Sequence, residues 1–346
     1  MAYEYINDGN IDSTAVSKGV KGNKKARLLQ LLKVLNEETD QEHQLSTNEI
    51  IEKMREQGLS VNRKTVKDDV DLLISSGYDV IVTKSANNSF YMGERIFEFS
   101  DLKMLVDAVS AAKIISTKST NILINRIKQL CSKYQAEELV WNKNINANIK
   151  PYSKYVNITV DKLAKAINKR RRIEFKYNVY DLKKELYHKH DGKVYNISPY
   201  FTIWNEDHYY LVGYEEAAGK TKTFRIDRID GSSLVVTNSP ARKPETDLFE
   251  KYSRSSFSMM ADEEKQRTVE LKCANSIITN MVDRFGKDVD IKRLDDKHFK
   301  MKVNIYATVS FYSWLVQFGE AIEVMGPPTV VEGFKEHLQA IMEKYK

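Results

Sequence analysis

Two helices with clear end signals, joined by a short turn, constrain the fold of this chain more than any other feature. Ser46 and Glu49 form a capping box, in which the Ser46 hydroxyl accepts the N–H of Glu49 and the Glu49 side chain reaches back to the N–H of Ser46. Asn62 caps the second helix, and Gly77 ends it. Because the turn contains glycine and the second helix opens with polar residues, the pattern predicts a helix-turn-helix.

The first turn of the second helix is cationic. Arg63 and Lys64 lie there, where the helix dipole disfavours positive charge by roughly 0.3–1 kcal/mol. A phosphate or a guanine edge would compensate this cost, and recognition helices present such residues to the major groove. The alternative is that Lys64–Asp68 and Lys67–Asp71 are ordinary surface pairs. The DNA-binding surface that we predict comprises Lys24, Lys25, Asn62, Arg63, Lys64, Thr65, Lys67 and Lys84.

A β-hairpin is predicted directly after the second helix. Its strands are Val80–Thr83 and Ser89–Met92, and in this position the hairpin would be a wing, with Lys84 at its tip near phosphate or the minor groove. Upstream, residues 1–23 lack a periodic apolar pattern and predict a flexible arm. The stretch 18–33 has six basic residues and no acidic one, which suits a polyanion.

A helical connector is predicted after the wing. Ser100 would cap its first helix, and the apolar positions from Ile122 to Tyr134 predict a second. Such a pair is where a dimerising element would lie, although packing within one subunit is an equal alternative.

The second half of the chain is dominated by short strands rich in aromatic and β-branched residues, which predict a small β-barrel. The predicted strands are Arg172–Tyr177, Ile197–Trp204, His208–Tyr214, Lys222–Ile229 and Ser233–Thr237. The last 80 residues alternate as βαββαβ(α), which predicts a ferredoxin-like sandwich. The chain is therefore predicted to be a multidomain α+β protein: arm 1–23, winged helix-turn-helix 24–95, helical connector 96–150, barrel 151–240, linker 241–266 and ferredoxin-like domain 267–346.

Composition narrows the class of protein. The net charge is +6 with a sequence pI of about 8.9, which is compatible with nucleic acid as a partner. Cys131 and Cys273 are far apart, so neither a disulfide framework nor a cysteine zinc site is expected. With no apolar run of membrane-spanning length and no signal-peptide pattern, we expect a cytoplasmic protein without a membrane partner.

A family resemblance rests on four segments of the second half. Residues 197–200 read Ile-Ser-Pro-Tyr, Trp204 follows, residues 208–214 read His-Tyr-Tyr-Leu-Val-Gly-Tyr, and residues 223–229 read Thr-Phe-Arg-Ile-Asp-Arg-Ile. This pattern resembles the WYL domain, an SH3/Sm-like barrel named for a Trp-Tyr-Leu triplet. The triplet here is Tyr209-Tyr210-Leu211, which departs from the pattern at its first position but keeps an aromatic residue.

The resemblance extends to the order of domains, since a winged helix-turn-helix, a WYL barrel and a ferredoxin-like extension called WCX occur together in bacterial transcription regulators. It implies a homodimer that binds operator DNA and senses a nucleotide, a cyclic dinucleotide or single-stranded nucleic acid. Several such proteins are encoded beside phage-defence or DNA-damage genes. The ligand surface that the resemblance implies comprises Ser198, Tyr200, His208, Tyr210, Arg225 and Arg228.

The residues themselves leave alternatives at this surface. Arginines and aromatic rings together suit phosphates and stacked bases. However, strand alternation puts Arg225 and Arg228 on opposite faces unless a bulge or strand end intervenes. Arg225–Asp227 and Arg228–Asp230 are alternatively structural ion pairs, and the tyrosines barrel core. The basic run Lys169–Arg172 is either a rim of the site or a solvated face.

The main rival class is an enzyme. The chain has no P-loop, no dinucleotide fingerprint, no zinc-protease motif and no nucleophile elbow. His188, His190 and Asp191 are a possible start of a metal site, but the surrounding lysines favour a polar insertion, so we predict neither metal nor cofactor. The prediction is a ligand-responsive repressor that is not an enzyme. A nucleic-acid-processing enzyme, a regulatory subunit, and a scaffold or antitoxin-like adaptor that binds a protein remain alternatives.

Overall fold

A computed structural model describes residues 24–84, 87–139, 155–205, 207–244, 248–249, 252 and 266–346. The chain divides into two compact units, Met1–Lys150 and Pro151–Lys346. The predicted arm, the end of the connector and most of the predicted linker lie outside the described residues. The fold is mixed α+β over several domains, as predicted. No helix in the described part of the chain is long and apolar enough to cross a membrane.

The head of the first unit is a three-helix core with a small sheet. Its elements are α1 (Lys24–Glu38), β1 (Leu45–Ser46), α2 (Thr47–Glu56), α3 (Arg63–Ser75), β2 (Val80–Thr83) and β3 (Ser89–Met92). The sheet order is β1-β3-β2, and both pairings are antiparallel. The predicted hairpin is confirmed with the predicted bounds. The apolar sides of the helices and strands bury one shared core that includes Leu35, Ile50, Val66 and Phe90.

The predicted helix ends in the head are confirmed. The Ser46 hydroxyl accepts from the N–H of Glu49 at 3.3 Å, and Glu49 Oε2 accepts from the N–H of Ser46 at 2.7 Å. Asn62 Oδ1 accepts from the N–H of Thr65 at 2.9 Å. Gly77 has a φ of 93°, which other residues rarely adopt. Each side-chain cap typically contributes about 1 kcal/mol, so local signals place both helices.

The connector differs from its prediction at two helix ends. Its elements are α4 (Phe99–Ala111), α5 (Thr117–Lys128) and α6 (Lys133–Glu138). Ser100 lies inside α4 instead of capping it, because the Asp101 carboxylate accepts from the N–H of Glu98 at 3.1 Å and starts the helix earlier. The predicted helix through Tyr134 is broken, because Ser132 caps a new helix by accepting from the N–H of Gln135 at 3.1 Å.

The connector is tied to the head by polar and aromatic contacts. The Ser132 hydroxyl, which is buried, donates to Asp40 Oδ2. Tyr134 stacks on the His43 ring with centroids 3.7 Å apart and planes 7° from parallel. Lys133 pairs with Glu38 at 2.5 Å. These three contacts attach α6 to the head.

The second unit begins with a helix on an antiparallel sheet. The elements are α7 (Val156–Asn168), β4 (Arg171–Lys176), β5 (Asn178–Tyr180), β6 (Leu186–His188), β7 (Val194–Asn205), β8 (His208–Glu215), β9 (Lys220–Arg225), a 3-10 turn (Ile226–Arg228) and β10 (Val235–Pro240). The five-stranded sheet has the order β10-β4-β7-β8-β9, with α7 packed on β4 and β7. Phe175 and Phe224 meet edge to face on its buried side, 5.3 Å apart.

Two expectations for this region were wrong, and one was incomplete. The sheet is open, since β9 and β10 lie at opposite edges and no ladder joins them among the described residues, so the barrel is not closed. The predicted strand through Ile229 stops at Arg225, where the 3-10 turn begins. Residues predicted as a polar insertion form the β5–β6 hairpin, in which Asp181 Oδ1 accepts from two N–H groups of the turn.

The last part of the second unit is a helix-covered antiparallel sheet. Its elements are β11 (Gln266–Ala274), a 3-10 turn (Asn275–Ile277), α8 (Ile278–Phe285), β12 (Asp290–Arg293), β13 (His298–Tyr306), α9 (Val309–Val316), a 3-10 turn (Gly319–Ala321), β14 (Ile322–Gly326) and α10 (Pro328–Glu343). The sheet order is β12-β13-β11-β14. One face buries Leu271, Met301 and Phe311, while the other carries cross-strand pairs such as Lys300–Glu270.

Candidate functional site

The leading edge of α3 is an exposed cationic surface. Arg63, Lys64 and Lys67 are all exposed, and Arg63 Nη2 donates to Asn48 Oδ1 at 3.0 Å, which links the first turns of α2 and α3. Neither lysine forms an ion pair with any described residue, so the alternative i,i+4 pairs with Asp68 and Asp71 are not present. These cations at a helix N-terminus are therefore uncompensated within this part of the chain.

Asn62 and Thr65 hold the end of α3 in place. Asn62 Oδ1 accepts from both the N–H and the hydroxyl of Thr65, at 2.9 and 3.0 Å. Asn62 and Thr65 were predicted to contact DNA, and their side-chain oxygens instead form the cap of α3. Both residues thereby fix the backbone that carries Arg63 and Lys64.

A salt bridge that sequence reasoning missed attaches α1 to α3. Arg27 Nε and Nη2 donate to the two carboxylate oxygens of Asp69 at 2.6 and 2.7 Å, and the Asp69 side chain is only 8% exposed. The hydrogen bond to Asp69 raises the pKa of Arg27. The detectable signal was an acidic residue between Val66 and Val70 on the apolar face of α3. The pair neutralises Asp69 and holds the start of α1, with exposed Lys24 and Lys25, near α3.

Lys84 extends the same unit at the end of β2, where it is exposed. The hairpin that carries it is bonded to the start of α2, because the N–H of Thr47 donates to Asn88 O at 3.2 Å and Ser89 Oγ donates to Gln44 Oε1 at 2.8 Å. The two residues that follow Lys84 lie outside the described ones. The hairpin and the helices of the head thus share hydrogen bonds and one apolar core.

The sheet of the second unit brings several predicted ligand residues to one face. Tyr210 of β8 lies directly opposite Arg225 of β9 and Ile203 of β7. His208, two residues before Tyr210, shares this face, and their rings are 6.3 Å apart. The charge of Arg225 interacts with the phenols of both Tyr210 and Tyr177. A cation next to two phenols, at the edge of an open sheet, is suited to an anionic ligand.

Arg225 is also held by its own strand end. Its Nε and Nη2 donate to Asp227 at 3.1 and 2.7 Å, so the alternative of a structural ion pair is confirmed. Burial opposes the charge of Arg225, but hydrogen bonding to the buried Asp227 carboxylate outweighs it and raises the pKa of the guanidinium. Because Nε and Nη2 already donate to Asp227, only part of the guanidinium is available to bind a ligand.

Arg228 is the less constrained of the two arginines. Arg228 lies in the 3-10 turn and not in a strand. The alternation of side chains along a strand therefore does not place it on the face opposite Arg225. Its Nε is buried and has no hydrogen-bond partner among the described residues. The alternative partner, Asp230, is instead 3.2 Å from His188 Nε2 and accepts from Ser232. A buried, unpaired guanidinium N–H is costly and is rarely retained without a ligand or water.

Tyr177 belongs to the same cluster and was missed from the sequence. Its hydroxyl accepts from the N–H of Arg225 at 3.1 Å, and burial raises its pKa to about 12. The phenol therefore stays neutral and remains a hydrogen-bond donor at physiological pH. The available signal was its position as the last residue of the predicted strand Arg172–Tyr177.

Two predicted parts of the ligand surface serve the fold instead. Ser198 is 0% exposed, and its hydroxyl donates to Glu216 Oε1 at 2.7 Å and accepts from the N–H of Arg242 at 2.9 Å, so it is not available to a ligand in this structure. The basic run at 169–172 also has a structural role. Arg171 donates to Asn238 O and Arg172 to Pro240 O, which attaches β10 to β4.

Tyr200 lies on the face that the linker covers. It is half-buried, its hydroxyl donates to Lys243 O at 3.4 Å, and it packs with Val212, Leu248 and Tyr252. The described residues of the predicted linker are therefore part of the sheet packing.

The described residues contain no group of three His, Cys, Asp or Glu side chains able to hold a metal. His190 and Asp191 lie at positive φ in a turn, apart from the His188–Asp230 pair. The predicted absence of a metal site stays a prediction.

Glu215 is a fully buried carboxylate in the five-stranded sheet. Its side chain is 0% exposed and accepts from Lys193 and Lys222, both at 2.6 Å. Burial alone would raise the pKa of Glu215, but these hydrogen bonds outweigh it and lower the pKa. A lowered carboxyl pKa adds stability that is present above the unfolded pKa, about 4.3, and is lost as pH falls further.

Glu215→Gln is therefore expected to destabilise the second unit by about 1–2 kcal/mol at pH 7, a figure reduced because both lysines are partly exposed. The difference from wild type should begin to shrink as pH falls below about 4.3, where the carboxyl of the unfolded chain takes up a proton before that of the folded chain does. Thermal unfolding from pH 7 to pH 3.5 measures it. Glu270→Gln is the matched control, since Glu270 also contacts two lysines but on an exposed sheet face, and its effect should be much smaller. Equal effects would contradict the role assigned to burial.

Comparisons with known proteins identify one domain within the second unit. The family model of the WYL domain matches residues 159–234, so the chain contains a WYL domain and the resemblance is confirmed. All six predicted ligand residues lie within this match. A search of curated proteins found no match.

Two solved structures are similar to this chain at low identity. Proteasome accessory factor B/C (PafBC) of Arthrobacter aurescens is 16% identical with a TM-score of 0.28, and the match covers 93% of this chain. The chain spans 48% of the length of that protein. A CRISPR Cas-related protein is 11% identical with a TM-score of 0.33, covering 71% of this chain and 80% of that one.

Proposed function

We propose that this protein is a cytoplasmic, ligand-responsive transcription regulator that binds operator DNA. In this proposal residues 24–95 are a winged helix-turn-helix whose α3 enters the major groove, with Lys84 of the wing beside the backbone. The observation that carries the proposal is the exposed cationic edge of α3, where Arg63, Lys64 and Lys67 meet no carboxylate among the described residues. Duplex DNA supplies the missing negative charge.

The proposed sensor is the WYL domain, read as an SH3/Sm-like sheet over residues 151–240. Its ligand is nucleic-acid-derived: a nucleotide, a cyclic dinucleotide or a single strand. The unpaired Nε of Arg228 supports an anion, and the neutral phenol of Tyr177 supports a further hydrogen bond to it. The protein acts without catalysis, metal or cofactor, and residues 267–346 are a ferredoxin-like extension.

In this proposal, ligand binding changes DNA binding through a homodimer. Ligand on the WYL domain shifts the population between two spacings of the paired heads, and only one spacing matches the operator half-sites. The contacts of Ser132 and Tyr134 with the head support the transmission step, because they attach the connector to the proposed DNA-binding unit. The proposed sign is repression, of genes linked to phage defence or DNA damage.

A gel shift with the DNA upstream of its own gene tests the proposal. We expect binding that weakens when short single-stranded DNA or a cyclic dinucleotide is added, and that falls steeply with salt. Absence of binding to any promoter duplex at low salt would overturn the DNA-binding half. Hydrolysis of the added nucleic acid by the pure protein would favour a processing enzyme instead.

A further inference from the structure

The sheet face that carries Tyr210 and Arg225 continues into an aromatic surface. Phe201 of β7 lies opposite Val212 of β8, which lies opposite Thr223 of β9. Leu248 and Tyr252, from the predicted linker, are buried against Val212 and Phe201. The linker therefore brings side chains to the same face as the candidate ligand residues.

Phe249 is the exception among these packed residues, because 58% of it is exposed. Its ring meets the Phe201 ring in an edge-to-face arrangement, with centroids 5.1 Å apart and planes at 72°. Tyr252 contacts Phe201 as well, at 6.2 Å. One aromatic partner anchors Phe249, and the rest of the side chain is left to solvent. An anchored, exposed ring is suited to stacking on a base, which every nucleobase allows.

The register of the sheet relates Phe249 to the arginines. The row Phe201–Val212–Thr223 lies next to the row Ile203–Tyr210–Arg225. Neighbouring strands lie about 5 Å apart and side chains on one face repeat about every 7 Å, so the Cα atoms of Phe201 and Arg225 are roughly 12 Å apart. A short oligonucleotide can span this separation between a phosphate site and a stacking site.

We propose that Phe249 is a stacking platform for a nucleobase of the ligand whose phosphate binds at Arg225 and Arg228. The inference rests on the proposed sensor function and deepens it, because it names the residue that would contact the base of the ligand. It also makes Phe249, from the described part of the predicted linker, a part of the binding site.

Binding of two labelled strands to the full-length protein tests this inference by fluorescence anisotropy. One strand is a short oligothymidylate, and the other is an abasic deoxyribose-phosphate strand of equal length. Phe249→Ala should weaken oligothymidylate binding by about tenfold and leave the abasic strand unchanged. Phe249→Leu keeps an apolar contact with Phe201 but has no aromatic face, so it should behave like Phe249→Ala, whereas Phe249→Trp should bind as wild type.

The possible outcomes distinguish a failure of the Phe249 platform from a failure of the proposed sensor function. Wild-type protein that binds neither strand overturns both the sensor and the platform. Wild-type protein that binds both strands, with no selective loss in Phe249→Ala, overturns the platform alone. A Phe249→Leu protein that keeps full affinity also overturns it, because ordinary apolar packing would then be sufficient. Unfolding curves of each variant check that the exposed position leaves the fold intact.

Discussion

Replacing Arg63, Lys64 and Lys67 together with alanine is expected to weaken duplex DNA binding by about 100-fold at 0.1–0.15 M salt. The three side chains lie on the leading edge of α3, and no carboxylate among the described residues neutralises them. Each lost phosphate contact flattens the slope of log affinity against log salt by about 0.9. Titration of labelled promoter DNA at several salt concentrations measures both the affinity and the slope.

The matched control removes three cations from α5: Lys118, Arg126 and Lys128. The total charge is the same, so a loss that follows net charge alone would appear in both variants and contradict a recognition role for α3. Stability provides a second check. Cations at a helix N-terminus oppose the helix dipole, so the α3 variant should melt no earlier than wild type. A large fall in stability would mean that these side chains support the fold instead.

The head could be predicted from sequence because its signals are local. The caps at Ser46 and Asn62 and the glycine at the end of α3 each act over three or four residues, and the structure keeps all of them. Local signals also misplaced one boundary, since Ser100 and Asp101 compete to start α4 and the sequence does not rank them. The Arg27–Asp69 bridge joins residues 42 positions apart, so only its buried acidic member was visible in the pattern.

The structure around the candidate ligand residues was predicted less well because it depends on long-range pairing. The alternation of residue types predicted a strand through Ile229. The chain instead enters a 3-10 turn at Ile226, so Arg228 does not follow the alternation of a strand. Tyr177 joins the cluster through an isolated antiparallel bridge to Ile229, the residue after the 3-10 turn, which is 52 positions away in sequence. Ser198 is the converse case, since the family resemblance implies that it contacts the ligand, whereas the structure buries its side chain in a hydrogen-bond network.

Arg228→Ala is expected to weaken binding of the anionic ligand by about 10- to 100-fold and to abolish the response of DNA binding to it, while operator affinity without ligand stays as in wild type. The Nε of Arg228 is buried and unpaired, so a ligand oxygen would satisfy it at no loss of an existing contact. Ligand affinity by calorimetry and gel shifts with and without ligand provide the two measurements.

Arg225→Ala would be a poorer test of the same site. Arg225 neutralises Asp227, whose side chain is 8% exposed, and removing it leaves a buried carboxylate unpaired, so lost binding could reflect lost stability. Arg228→Ala instead removes an unsatisfied donor, and should leave stability unchanged or slightly higher. Arg228→Lys keeps the charge but cannot supply the Nε N–H, so it should restore only part of the affinity. If Arg228→Ala still responds fully to ligand, the anion site lies elsewhere on the domain.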